Sequence, residues 1–231
     1  MDYQDYSKWK GWLTEAPFAE LSALQNGKYE SQLKRLGIPY KGINALEIGF
    51  GNGSFMQFLL DNGSSVEGIE IQEPLLNAAR AKGMQVQSSI DDVAHGPYDL
   101  IVALDVLEHL TLEELKALFP KCRALLKEEG AMLFRFPNAD SFAGMGAQNG
   151  DFTHITAIGQ TKLQQIAGPS GLKIEKFEAE DVYPKKNMII NILRWCFRYV
   201  LMHGMGVGSP YFFSCNVVAL IRIDERSKGK T

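Results

Sequence analysis

The sequence predicts an α/β fold, a parallel sheet with helices on both faces. Three observations predict it. Between residues 43 and 138, short apolar runs alternate with stretches of helical periodicity. The run Tyr98–Val106 is apolar almost throughout, which suits a strand covered on both faces. Three glycines at alternate positions, Gly49, Gly51 and Gly53, close the first apolar run and lead into the first helix. In sheets built from such strand–helix–strand units, ligands settle at the carboxyl ends of the strands.

The elements follow in order. Ile43–Gly49 reads as a buried strand, and Ser54–Gly63 as a helix stopped by its glycine. Ser65–Ile71 is the second strand. Pro74 lies near the start of the next helix and Gly83 at its end. Met84–Ser89 is a short third strand and Tyr98–Val106 the fourth. Thr111, with Glu114 three residues on, has capping-box spacing. The helix it opens is expected to reach Pro120, where a fresh turn starts. Gly130–Asn138 is the fifth strand. A glycine-rich loop is expected over Ala143–Gly150, then a helix from roughly Ile158 to Ala167. Leu172–Pro184 and Phe212–Asp224 read as the sixth and seventh strands.

The chain has 231 residues, 45% of them hydrophobic, which suits a single domain with embellishments. Its parts read as an N-terminal helical cap (1–40), a core (41–182) and a helical insertion before the last strand (185–210). A net charge of −3, with acids and bases interspersed, argues against a nucleic-acid partner. Three cysteines, Cys122, Cys196 and Cys215, show no metal-like spacing. Buried, reduced thiols in a cytoplasmic chain are expected, with no disulfide framework and no metal site. The first residues lack the features of a signal peptide. No uncharged apolar stretch reaches the roughly 18 residues needed to span a bilayer.

The glycine turn carries the first chemical signal. A dinucleotide turn would read G-x-G-x-x-G, but Ser54 stands at its third glycine position and Gly53 precedes it. Glu47 stands in front of the turn, poorly placed for a pyrophosphate and well placed for a cationic amine. Glu70 ends the second strand, where a carboxylate can accept hydrogen bonds from both ribose hydroxyls. Together these residues favour S-adenosylmethionine (SAM) over a nicotinamide cofactor.

The segments "ALEIGFGNGSF", "VEGIEIQ" and "YDLIVALDVLEHL" resemble the signature segments of class I SAM-dependent methyltransferases, in their usual order. The resemblance covers roughly residues 40 to 138. It implies a Rossmann-like, seven-stranded, mostly parallel sheet whose last strand is antiparallel. It implies Glu47 near the methionine end of SAM, Gly49, Gly51 and Gly53 lining it, and Glu70 on the ribose, with Ile71 beside it. Leu104 and Asp105 would lie beside the sulfonium. The family often has an acid after the third strand, where this chain has Ser89. Ile90 would then cover the adenine and Asp91 reach its amino group, or both merely start the next helix.

Methyl transfer from SAM needs alignment of nucleophile, methyl and sulfur. A hydroxyl acceptor also needs a base, because its proton must leave as the bond forms. "NGDFTHIT" is the best source of one. His154 could take the proton, and Asp151 could orient it or bind a sugar hydroxyl. His154 could equally fix its loop to the next helix. Glu108 and His109 either face the acceptor or brace a helix entrance. The "GDFTH" element resembles one in methyltransferases encoded with surface-polysaccharide genes, which implies a glycan or sugar hydroxyl as the acceptor. A small aromatic or quinone-like acceptor is the alternative, and a SAM-binding protein without catalysis is a third reading.

Residues 187–203 read as a helix with a polar stripe of Asn187, Asn191, Arg194 and Arg198 and apolar faces elsewhere. Three readings stay open. It packs on the N-terminal segment or on a homodimer mate, it makes peripheral contact with a membrane surface, or it walls the acceptor pocket. Tyr3, Tyr6, Trp9 and Trp12 could form a lid over the cofactor or a packed cap.

Overall fold

The computed structural model describes residues 17–180, 188–204 and 214–226. Seven strands form one sheet: β1 (Asn44–Ile48), β2 (Ser65–Ile69), β3 (Gln85–Gln87), β4 (Tyr98–Leu104), β5 (Leu126–Pro137), β6 (Leu172–Ala179) and β7 (Asn216–Ile223). Their order is β3-β2-β1-β4-β5-β7-β6. β1 pairs in parallel with β2 and β4, and β2 with β3. β7 runs antiparallel to β6, as expected of the last strand. The chain divides into two compact units, Met1–Leu104 with Pro120–Leu133, and Asp105–Phe119 with Phe134–Thr231.

In the first unit, helices α1 (Ala23–Leu36), α2 (Ser54–Asp61) and α3 (Glu73–Ala81) accompany the strands. Ser22 and Gln25 cap α1 reciprocally, and Gly37 ends it in the left-handed conformation. Leu33 and Leu36 of α1 are buried, and the ring of Tyr29 meets Phe55 edge-on at 5.0 Å. Leu46, Met56, Leu59, Leu75, Leu100 and Ile101 are buried in the core. Tyr3, Tyr6, Trp9 and Trp12 lie outside the described residues.

In the second unit, Phe119 packs on Phe134, and Phe136 on Phe177. Helices α5 (Phe142–Gly150) and α6 (Gln160–Ala167) lie between β5 and β6 in the chain. Two sequence expectations are corrected. Helix α4 runs unbroken from Leu112 to Leu125 with Pro120 inside it. The helix forgoes the one hydrogen bond that Pro120 cannot donate. Ala143–Gly150 is part of helix α5, not a loop. Ser141 caps α5 by accepting from the Ala143 and Gly144 amides. A Cβ on Gly144 would stand 2.1 Å from the Asn138 carbonyl oxygen, so this glycine serves close backbone approach.

Helix α7 spans Met188–Tyr199 and continues as one wider turn over Val200–Gly204. Asn187, Lys185 and Lys186 lie outside the described residues, as do the side chains of Asn191, Arg194 and Arg198. Ile192, Leu193, Trp195, Phe197, Tyr199 and Val200 are each more than half exposed. No helix among the described residues is long and apolar enough to cross a membrane. The expectation of buried thiols holds for Cys122 alone, since Cys196 and Cys215 are exposed.

Candidate functional site

The first unit holds a carboxylate-lined turn. Glu47 and Glu70 stand at the carboxyl ends of the adjacent parallel strands β1 and β2, where Glu47 pairs with Gly68. Both side chains are buried. Gly49, Gly51 and Gly53 all take positive φ, which lets the backbone fold tightly between β1 and α2. The Glu70 carboxylate accepts from the Gly51 amide at 3.0 Å and from the Ile71 and Gln72 amides at 2.8 and 3.1 Å. Burial pushes the Glu70 carboxyl above its ordinary value, and these three amides pull against that shift. Its oxygens retain lone-pair capacity for a ligand's hydroxyls.

The ring of Phe18 lies over Gly53, and Phe18 donates its amide to the Asn52 carbonyl at 2.8 Å. The sequence reading did not single out this residue. Ile71 is 66% exposed, next to Glu70. Ile90 is half-buried in a short 3-10 turn that Ser89 caps by accepting from the Asp91 amide. The Asp91 carboxylate is exposed and pairs with Lys121 at 2.7 Å. Leu104, half-buried, ends β4.

In the second unit, Asp105 holds the left-handed conformation, with φ of 58°. That region is uncommon for non-glycine residues and tolerated best by Asp and Asn. Arg135 holds the Asp105 carboxylate through two guanidinium nitrogens and reaches Glu180 at 2.9 Å.

A second cluster forms where the segment 151–156 meets residues 107–110. The Ile155 and Thr156 amides donate to the Glu108 carbonyl at 2.9 and 3.0 Å, and the Thr156 hydroxyl donates to Leu110 at 2.6 Å. Asp151 Oδ1 accepts from the Thr153 amide and hydroxyl, which closes a tight turn just before His154. His154 Nδ1 lies 3.1 Å from the Ala147 carbonyl. A carbonyl can only accept, so Nδ1 carries the proton and Nε2 of the neutral ring keeps its lone pair. Nε2 lies 3.7 Å from Asp151 Oδ2 and 3.9 Å from Glu108 Oε1. His109 does the same on the other side: its Nδ1 reaches the Thr153 carbonyl at 3.2 Å, and its ring meets that of His154 at 4.7 Å.

The fold thus joins His109, Asp151 and His154, and adds Glu108 as the most deeply buried of the group, at 1% exposure. The signal for Glu108 in the sequence is an acid directly before a histidine at the end of an apolar strand. Four apolar side chains in the same stretch of chain face outward: Phe142, Met145, Phe152 and Ile155. His95 and His203 are exposed.

Residues 22–176 match the family model described as "Methyltransferase domain". The chain is similar to a ubiquinone biosynthesis O-methyltransferase of Coxiella burnetii, at 25% identity over 65% of this chain and 72% of the relative. A protein of the same name from Bordetella avium is 26% identical over 59% of this chain and 61% of the relative. Among solved structures, a SAM-dependent methyltransferase from Archaeoglobus fulgidus superposes with a TM-score of 0.64 at 20% identity, covering 85% of this chain and 93% of that one. Magnesium protoporphyrin IX methyltransferase from Synechocystis, solved with bound SAH, superposes at 0.61 and 15% identity, covering 94% of each chain.

Proposed function

The chain belongs to the SAM-dependent methyltransferases, and from that premise we propose that it methylates a hydroxyl oxygen on an apolar, aromatic or quinone-like acceptor. The observation that carries this reading is His154, whose side chain is 8% exposed. Its Nε2 lone pair is fixed by the Ala147 carbonyl, with two carboxylates within 4 Å. A hydroxyl acceptor requires such a base, while a neutral amine can attack unaided.

The chemistry is an in-line displacement. The acceptor oxygen bonds the methyl carbon, the carbon–sulfur bond breaks, and S-adenosylhomocysteine leaves. His154 Nε2 receives the acceptor proton. The Asp151 and Glu108 carboxylates stabilise the imidazolium that results. His109 braces the Thr153 carbonyl and so positions the loop. Glu47 takes the methionine end of SAM, the turn Gly49–Gly53 lines it, and Glu70 with Ile71 holds the ribose. Ile90 covers the adenine, and Asp91 reaches its amino group on leaving Lys121. Leu104 would flank the sulfonium, while the Asp105 carboxylate is held by Arg135.

Two facts support an apolar acceptor. Phe142, Met145, Phe152 and Ile155 are exposed around the base in the chain. The curated relatives named above are ubiquinone biosynthesis O-methyltransferases. The "GDFTH" element supports a glycan hydroxyl as the second reading. Transfer of tritiated methyl from SAM into fractionated extracts separates the two. Label in the apolar lipid and quinone fraction supports the first, and label in polysaccharide the second. Label in protein or nucleic acid contradicts both.

Helix α7 supplies the partner in this reading, an anionic membrane surface that holds apolar acceptors. Its described side chains are apolar, aromatic and exposed. From Val182 to Ile223 the sequence contains no Asp or Glu, while Lys185, Lys186, Arg194 and Arg198 supply positive charge. Flotation with vesicles containing anionic lipid is the expected result. A dimer in solution that ignores vesicles would assign α7 to self-association instead.

A further inference from the structure

We infer that Glu108, His109 and His154 form a binding site for one divalent first-row transition-metal ion, with Asp151 beside it. Each of the three residues can bring one donor atom so that all lie within 4.8 Å of one another. The spacing is the first argument. Were this cluster a set of ordinary ion-paired hydrogen bonds, the Nε2-to-carboxylate distances would close to about 2.8 Å. They stand instead at 3.7 and 3.9 Å. Two ligand atoms each about 2.1 Å from a shared ion are about 3.4 Å apart at a tetrahedral angle. Within the trio His154 Nε2 and Glu108 Oε1 stand 3.9 Å apart and the three donors lie within 4.8 Å, so a contraction of up to about 1.4 Å completes the site.

The surroundings of the two imidazoles are the second argument. A metal-binding histidine usually donates its other ring N–H to a carbonyl or carboxylate, which fixes the tautomer and aims the lone pair. Both histidines here are held in that way, His154 by the Ala147 carbonyl and His109 by the Thr153 carbonyl. The backbone of Glu108 is bolted to the same segment through Ile155 and Thr156. The arrangement is preformed on short loops tied at both ends.

The donor set indicates the class of ion. Two imidazole nitrogens and a carboxylate suit zinc, iron(II), cobalt(II) or manganese(II) better than magnesium or calcium, which prefer all-oxygen shells. The use of the ion in catalysis rests on the hydroxyl-acceptor reading. Coordination of the acceptor oxygen lowers its proton affinity. The O–H bond then breaks with its proton passing to Asp151, and the oxygen's electron pair goes on to bond the methyl carbon. His154 acts as ligand in this form. Ion binding itself does not depend on that reading.

The test uses the full chain, stripped with a chelator, in a Cys196→Ser/Cys215→Ser background so that the exposed thiols cannot bind metal. Zinc is titrated by calorimetry and cobalt(II) by visible absorption. One ion per chain at micromolar or tighter affinity is expected, with cobalt absorption bands of a low-coordinate nitrogen–oxygen site. Glu108→Gln and His109→Ala are each expected to weaken binding at least tenfold and to leave SAM affinity unchanged. Absence of stoichiometric uptake by the parent chain overturns the inference, as does uptake that survives both substitutions. Methyl transfer by the stripped chain separates the two readings. If it persists without ion uptake, the site falls and the proposed function stands. If ions bind but no hydroxyl is ever methylated, the reverse holds.

Discussion

The ring of Phe18 occupies the space that a Cβ on Gly53 would need: Cε1 of the ring would lie 2.2 Å from it. Phe18 therefore closes directly onto the glycine turn, and the turn tolerates it only because Gly53 has no side chain.

Gly53→Ala meets two penalties. The residue holds φ of +75°, which costs an alanine about 1 kcal/mol, and the methyl group must displace Phe18. SAM affinity is expected to fall at least tenfold by calorimetry, and the melting temperature to drop. In a Phe18→Ala background, itself destabilised by loss of a buried ring, the further loss on Gly53→Ala should be smaller, because the clash is gone and only the backbone term is left. An equal loss from Gly53→Ala in both backgrounds would contradict the packing described.

Glu70 makes SAM binding sensitive to acid. Burial raises its carboxyl above the ordinary value of 4.5 in the folded chain. As pH falls, the folded chain takes up this proton before the unfolded chain does. The ionised group thus detracts from stability above the folded value, and the penalty fades as pH falls to the unfolded value. SAM binding shows the opposite sign, because the ribose hydroxyls need the ionised form as acceptor. Calorimetry from pH 8 downward should show affinity falling before the ordinary carboxylate range is reached. Glu70→Gln should bind more weakly, and its affinity should stay flat across that window.

Tyr98 and Glu67 form a buried pair, with the phenol donating to Glu67 Oε2 at 2.5 Å. Burial and the carboxylate together push the Tyr98 hydroxyl well up from its ordinary value. Tyr98→Phe leaves a buried carboxylate without this donor, at a cost of about 2 kcal/mol. Thermal denaturation should shift down by roughly 4–8 °C, with SAM affinity at the permissive temperature retained.

The thiols differ in reactivity. Burial pushes Cys122 up to about 12, whereas Cys196 and Cys215 are exposed. A colorimetric thiol reagent should titrate two groups in the native chain and the third only after unfolding. Rapid labelling of all three would contradict the packing of Cys122 within α4.

The sheet and the cofactor turn were legible because their signals are local. The apolar runs set the strands, and Glu47, the three glycines and Glu70 fall within 24 consecutive residues. The second cluster was only half legible. His109 and His154 stand 45 positions apart, and hydrogen bonds from Ile155 and Thr156 to Glu108, from Thr156 to Leu110 and between His109 and Thr153 bring them together. Helix α5 was hidden because its glycines mimic a loop, while Gly144 answers a contact with Asn138 that no local pattern shows. The grip of Arg135 on Asp105 and the seat of Phe18 on Gly53 are likewise long-range and have no periodic signature.

Two groups of residues divide the work in this account: Glu47 and Glu70 hold SAM, and His154 with its carboxylates handles the acceptor. The most direct measurement compares SAM affinity with methyl-transfer rate in His154→Ala. SAM affinity is expected to stay unchanged while turnover falls roughly a hundredfold or more. Turnover equal to that of the parent chain would contradict this division of work.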